Sequence, residues 1–148
     1  MTSPLLARRD AAQAAVDAFL GQAFAWGQAD CVRLAASVLN HHGLPCDLNR
    51  AGKWDSPLKA RRALKRLGYC GLGEAVDGQG LARIPFAFHL VGDLVGLPSS
   101  EGWDLSLGVC LGNGRVLAFS PHDHQAGVLQ PEAEDILACW RVDPWPKP

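Results

Sequence analysis

The chain has 148 residues, 48% of them hydrophobic and 20% charged, with a formal net charge of −1. That length fits one domain with a core large enough to need no disulfide staples. The near-neutral balance gives no global pull toward nucleic acid or a membrane surface, and no run of about 18 apolar residues could span a bilayer. Five cysteines, at positions 31, 46, 70, 110 and 139, make an odd count with no C-x-x-C spacing. A disulfide framework and a common zinc knuckle are therefore not expected, and such thiols fit synthesis in a reducing cytoplasm. The start, MTSPLLARRDAAQ, has no apolar h-region before Arg8, so no signal peptide is expected.

The first predicted helix has Ser3 as cap, Pro4 in its first turn and Gly21 as stop. Leu5, Leu6, Ala12, Val16, Phe19 and Leu20 supply its apolar stripe. A second helix starts at Asp30, a good N-cap, with Cys31, Leu34, Ala35 and Val38 at i, i+3, i+4 and i+7 and Gly43 as stop. A third runs from Ser56 and Pro57 to Gly68 and carries Lys59, Arg61, Arg62, Lys65 and Arg66. Such a charge run is most simply a solvated face; read functionally, it docks on an acidic partner surface. Nucleic acid is a poorer fit, because Trp54 and Tyr69 do not interleave with the cations.

After residue 80 the pattern becomes β-rich and punctuated by Gly and Pro: VGDLVGL, LSLGVCLG, GRVLAFS, AGVLQP and ILACWRV. Gly112, Asn113 and Gly114 mark a hairpin turn. Helices followed by an antiparallel meander of about five strands make an α+β domain. One domain is expected over 1–148: an N-terminal helix in 1–22, a core over 24–143 and a Pro-rich surface tail over 144–148. No cofactor motif is present.

Cys31 opens a helix, where the dipole and open N–H groups favour thiolate. A cysteine nucleophile also needs a base and a group to orient it. Alternatively, Cys31 is a small apolar residue on the core face with Leu34 and Val38. The local spacing fits both.

Phe24, Trp26, Gly27, Asp30 and Cys31, in FAWGQADC, resemble the start of the NlpC-like murein peptidases, a papain-like group. Gly92 and Asp93, in GDLV, resemble that family's Gly-Asp-Leu/Val segment. SLGVCLGNGRVLAF resembles its H-V-G-I-Y-L-G-N-G strand and hairpin, and ACWRV its closing strand. The resemblance implies a papain-like NlpC-type fold, with Trp26 substantially buried beside Gly27 in a tight approach to the Cys31 helix. It implies Cys31 as nucleophile and, if the chain is active, murein peptide as substrate. The departures count equally. The family's catalytic His falls on Ser106, its orienting residue near Ala118, its frequent Tyr on Phe24, and the Ser after its Cys on Val32.

Histidine substitutes are poorly placed. His41 and His42 end the second helix, ~15 Å along its axis from Cys31. His89 precedes GDLV. His122 and His124 lie in SPHDHQ, where Asp123 could orient one of them or the trio could hold a metal; a polar loop is the simpler reading, and no metal site is expected. The chain also resembles small proteins of phages and prophages encoded among tail genes, which share FAWG..DC, a basic A.RALRRLG-type helix and an AWRV-like ending. This second resemblance implies a tail-tip structural component, present in the virion, whose partners are other phage tail-tip proteins. The basic helix face and the Pro-rich tail are its expected docking elements, with no membrane insertion. Two alternatives stand beside it: an active cysteine peptidase or amidase on murein peptides, and a non-catalytic protein-binding module of cellular origin.

Overall fold

Local signals set the helix starts. In the computed structural model, which describes residues 3–99 and 102–144, α1 spans Pro4–Phe19 with the Ser3 hydroxyl accepting the Leu6 N–H at 3.2 Å. Helix α2 spans Cys31–His41, capped by Asp30, and α3 spans Pro57–Arg66, with the Ser56 hydroxyl accepting the Lys59 N–H. Each cap satisfies one of the N–H groups that a helix start leaves open.

The fourth helix was not legible from sequence. α4, Leu72–Asp77, starts at Gly71, which has no side chain to cap it. The cap comes from Asp104, which accepts the N–H groups of Leu72 (2.8 Å) and Gly73 (3.2 Å) from 32 and 31 residues away.

Among the described residues six strands form one antiparallel sheet: β1 Ala82–Arg83, β2 Leu94–Leu97, β3 Ser106–Gly112, β4 Arg115–Phe119, β5 Ala126–Leu129 and β6 Ala138–Arg141. Their spatial order is β1-β6-β2-β3-β4-β5. The α+β class and the antiparallel pairing are as read from sequence, but only β2 to β5 run as a meander; β6, expected to close it, crosses back to pair with β2. The extra strand is β1, two residues too short to show alternation, paired with β6 at Ala82–Arg141 and Arg83–Trp140. Asn113 and Gly114 both have positive φ in the β3–β4 turn, the geometry that twists a two-residue hairpin the right way.

Both faces of the central strands are buried, so β2 to β4 read as near-continuous apolar runs. On one face Leu94, Leu107, Val109, Leu117, Phe119 and Trp140 pack with the helices. On the other Val95, Leu97, Cys110, Val116, Ala118 and Cys139 form a second cluster, covered by Ile84, Phe86, Leu129 and Ile136.

The stripe expected on α1 is rotated. Arg8, Ala11, Ala12 and Ala15 are the buried residues, while Leu5 is 64% exposed and Leu6 and Leu20 also face outward. Small alanines let α1 approach α2 closely, and Arg8 is admitted because Asp93 neutralises it at 2.9 Å. Hydrophobicity alone cannot register a paired charge. Of the Pro-rich tail, Pro144 is buried, and residues 145–148 lie outside the described residues.

Candidate functional site

The start of α2 is where the sequence places the chemistry, and Asp30 organises it, while a second buried carboxylate, Asp93, organises a separate junction of the fold. Asp30 is 1% exposed. Its Oδ1 accepts the Arg33 N–H (2.9 Å); its Oδ2 accepts the Gly27 N–H (2.7 Å) and the indole N–H of Trp54 (2.8 Å). Arg33 completes this corner. Its guanidinium lies 4.3 Å over the Trp54 ring, and it donates to the carbonyls of Gly27 (3.2 Å) and Gly52 (2.8 Å). Gly27 has φ +78, and a Cβ there would collide with the Trp54 carbonyl oxygen. Trp54 and Arg33 thus finish a motif of which the sequence displays only the first half. Their signal was missing because Trp54 lies 24 residues from Asp30.

Asp93 is the second organiser, at 0% exposure. It accepts from Arg8 (2.9 Å), Arg141 (3.0 Å), Leu90 N–H (2.8 Å) and Val142 N–H (2.9 Å). One carboxylate therefore ties α1, the start of β2 and the end of β6. Gly92, at φ +88, lets the backbone pass close to Arg8; a Cβ would sit 3.1 Å from the Arg8 carbonyl oxygen. The Gly-Asp pair singled out in the sequence is thus a junction of three elements.

Cys31 itself is 2% exposed and sits in the helix-side cluster. Phe24 and Trp26 meet edge to face (4.9 Å), as do Phe24 and Phe119 (5.4 Å), and Trp26 lies 6.2 Å from Trp103. Trp26 packs against the helix-side cluster with part of its ring exposed, whereas Trp54 is the buried tryptophan of this corner, because its N–H has a buried acceptor. Ser106 opens β3 opposite Leu97, and Ala118 lies on β4 opposite Gly127. Strand alternation puts Ser106 and Ala118 on the same face as Cys110, whereas Leu107, Val109 and Leu117 face the helices.

The histidines lie on separate elements, and one of them, His124, adjoins the motif: its carbonyl accepts the Phe24 N–H at 2.7 Å. His41 ends α2 and His42 follows it, their rings 5.7 Å apart. His89 stacks on Phe86 at 4.2 Å with its Nδ1 2.6 Å from the Phe86 carbonyl. His122, Asp123 and His124 occupy an exposed turn between β4 and β5, in which Asp123 accepts the Gln125 N–H at 3.1 Å. Among the described residues no group of three or more His, Cys, Asp or Glu side chains is placed to hold a metal ion. None of the five cysteines is in a disulfide. Burial pushes the Cys46 thiol up, and a hydrogen bond with Cys139 together with burial pushes Cys110 up much further.

Open cavities flank α3, two of them with aromatic walls. One, about 550 Å³, is lined by Trp26, Gly27, Arg33, Lys53, Trp54 and Lys59 among others. The second, about 520 Å³, is lined by Arg61, Leu64, Lys65, Tyr69 and Trp103 among others. The five cations of α3, Lys59, Arg61, Arg62, Lys65 and Arg66, are all exposed. Lys59 pairs with Asp55 at 2.9 Å, Arg61 donates to the Gly102 carbonyl at 2.5 Å, and Arg66 reaches the Ala51 carbonyl at 3.5 Å.

Tyr69, at the second cavity, is the chain's one tyrosine. Its hydroxyl donates to Asp47 Oδ2 at 2.6 Å. That hydrogen bond, then burial, then the Asp47 charge hold its pKa above the ordinary value near 10. A raised folded pKa means the stabilisation is whole below the unfolded value and is lost as pH rises through the folded one. Phenolate absorbance, which reports Tyr69 alone, should show a midpoint above that of a free tyrosine, and Asp47→Asn should bring it back down. A wild-type midpoint equal to that of a free tyrosine would contradict the hydrogen bond.

The fold and this corner define a small α+β domain with a cysteine at a capped helix start, two buried aspartate junctions and a cationic, aromatic-flanked helix. The chain belongs to a family described as a domain of unknown function, DUF6950, whose match covers residues 6–142. No curated protein gives a significant match.

Proposed function

We propose that this chain is a non-catalytic assembly component of a bacteriophage tail tip, built on an NlpC-like fold whose thiol chemistry has lapsed. The observation that carries the proposal is the state of the Asp30–Cys31 corner. Asp30 is committed to the helix cap, the Gly27 turn and the Trp54 indole, and Cys31 is packed in the core. Residues that would begin a nucleophilic site hold the fold together instead. By sequence resemblance alone Ser106 replaces the family's base, and its strand face is the one turned away from the Cys31 cluster, so it supplies no base to Cys31; a positioned acid–base group is worth roughly 10²- to 10⁴-fold.

A fold kept without its chemistry is kept for its surfaces. The surface most suited to a partner is α3, because its cations lie beside aromatic cavities that can desolvate an incoming side chain. The partner class is an acidic protein surface in the same assembly. Purified particles are expected to contain the chain, and reversing Arg61, Arg62 and Lys65 to Glu should lower its incorporation while the isolated domain stays folded. Absence of the wild-type chain from particles, or murein lysis that Cys31→Ser abolishes in a folded variant, would defeat the proposal.

A further inference from the structure

The acidic surface that fits α3 is present on the chain itself. Between β5 and β6 the segment PEAEDIL carries Glu132, Glu134 and Asp135, all exposed, in a short 3-10 turn at Ala133–Asp135. None of the three forms an ion pair among the described residues. Beside them Leu137 is 52% exposed, a large apolar side chain at the edge of an acidic patch. On α3, Arg62 and Lys65 are likewise exposed with no ion pair among the described residues. The adjoining cavity, about 520 Å³, is lined by Leu64, Tyr69 and Trp103, by the cations Arg61 and Lys65, and by Asp104, whose carboxylate is taken up by the α4 N–H groups. Three carboxylates with an apolar knob on one surface match cations around an apolar hole on the other.

The two patches cannot meet within one chain. α3 packs through Ala60, Ala63 and Leu64 on the helix side of the sheet, whereas Ile136, between the acidic turn and Leu137, packs on the opposite face. For the same reason a two-fold pair cannot join them, since an isologous contact needs both patches on one side. We infer that this chain docks head to tail with a second copy of itself, the Glu132–Leu137 segment of one copy seating on the α3 surface of the next, with Leu137 in the Leu64–Tyr69–Trp103 cavity. A contact of this heterologous kind propagates and closes into a ring or continues as a filament according to the rotation per step. The inference rests on the assembly reading above and supplies its acidic partner.

Sedimentation velocity of the full chain tests this at ~0.01 M ionic strength, where charges act over about 30 Å, and at ~1 M, where they act over about 3 Å. Oligomers larger than a dimer are expected at low salt and dissociation at high salt. Two single-surface variants, Arg61→Glu/Arg62→Glu/Lys65→Glu and Glu132→Lys/Glu134→Lys/Asp135→Lys, should each weaken self-association by roughly tenfold to a hundredfold. Mixing the two should restore it, because each then meets an opposite charge on the other. Leu137→Asn should weaken association without changing its salt dependence. A wild-type chain that is monomeric at low salt, or a mixture that stays monomeric while both variants are folded, overturns self-docking. If the wild type is monomeric yet reversal on α3 still blocks incorporation into particles, self-docking alone falls and the assembly reading stands.

Discussion

Asp93→Ala is expected to lower the unfolding free energy by about 3–5 kcal/mol, the range for breaking a buried ion pair from one side. Four donors converge on this carboxylate, and Arg8 is buried with it. Without Asp93 the Arg8 guanidinium is a buried charge with its ion-pair partner removed, and the N–H groups of Leu90 and Val142 lose their acceptor. Arg8→Met should be milder, because Asp93 then keeps Arg141 and both backbone donors while the methionine fills the space. Chemical denaturation of the two variants gives the order directly. Equal losses, or a larger loss for Arg8→Met, would contradict the junction role of Asp93.

Gly27→Ala is expected to be the most damaging change near α2. The positive φ alone costs about 1–3 kcal/mol for a non-glycine residue. The added methyl also collides with the Trp54 carbonyl oxygen, so either the turn or the Trp54 backbone must move. Moving either disturbs Asp30 Oδ2, which holds the Gly27 N–H and the Trp54 indole together. Gly52→Ala is the matched control, with φ +84 and open space around its Cβ. The difference in melting temperature between the two isolates the collision from the backbone strain. If Gly27→Ala is no worse than Gly52→Ala, the close approach at Trp54 is not a constraint on the fold.

What the sequence made legible was local. Ser3, Asp30 and Ser56 each announce a helix within three residues of the N–H they accept, and Asn113-Gly114 announces its own turn. What it hid depends on partners far along the chain. Arg8 reads as a surface charge until Asp93, 85 residues away, is brought beside it. α4 has no cap of its own because Asp104 provides one across 32 residues. The leucines of α1 outweigh its alanines on any hydrophobicity scale, yet close helix contact selects the alanines. The Trp-Gly and Asp-Cys pairs were visible as a motif, but their physical use was not, because it needs Trp54 and Arg33 to complete it.

The site residues divide along the same line. Phe24, Trp26, Gly27, Asp30 and Cys31 gather at one corner, as adjacency in the chain requires. Gly92 and Asp93 serve the α1–β6 junction instead. Ser106 and Ala118 share a strand face because adjacent antiparallel strands alternate in step. The cations of α3 are exposed together because i, i+3 and i+4 positions share a helix surface, which is why that face was readable before any fold was known.

Site-resolved labelling of the native protein with a small alkylating thiol reagent, followed by mass spectrometry, tests most directly whether the Asp30–Cys31 corner is architecture or a reactive centre. Cys70 is exposed and Cys31 is 2% exposed. Labelling at Cys31 should be far slower than at Cys70 and should accelerate only when denaturant unfolds the chain. Faster labelling at Cys31 than at Cys70 in the folded protein would identify an accessible, activated thiolate and contradict the non-catalytic proposal.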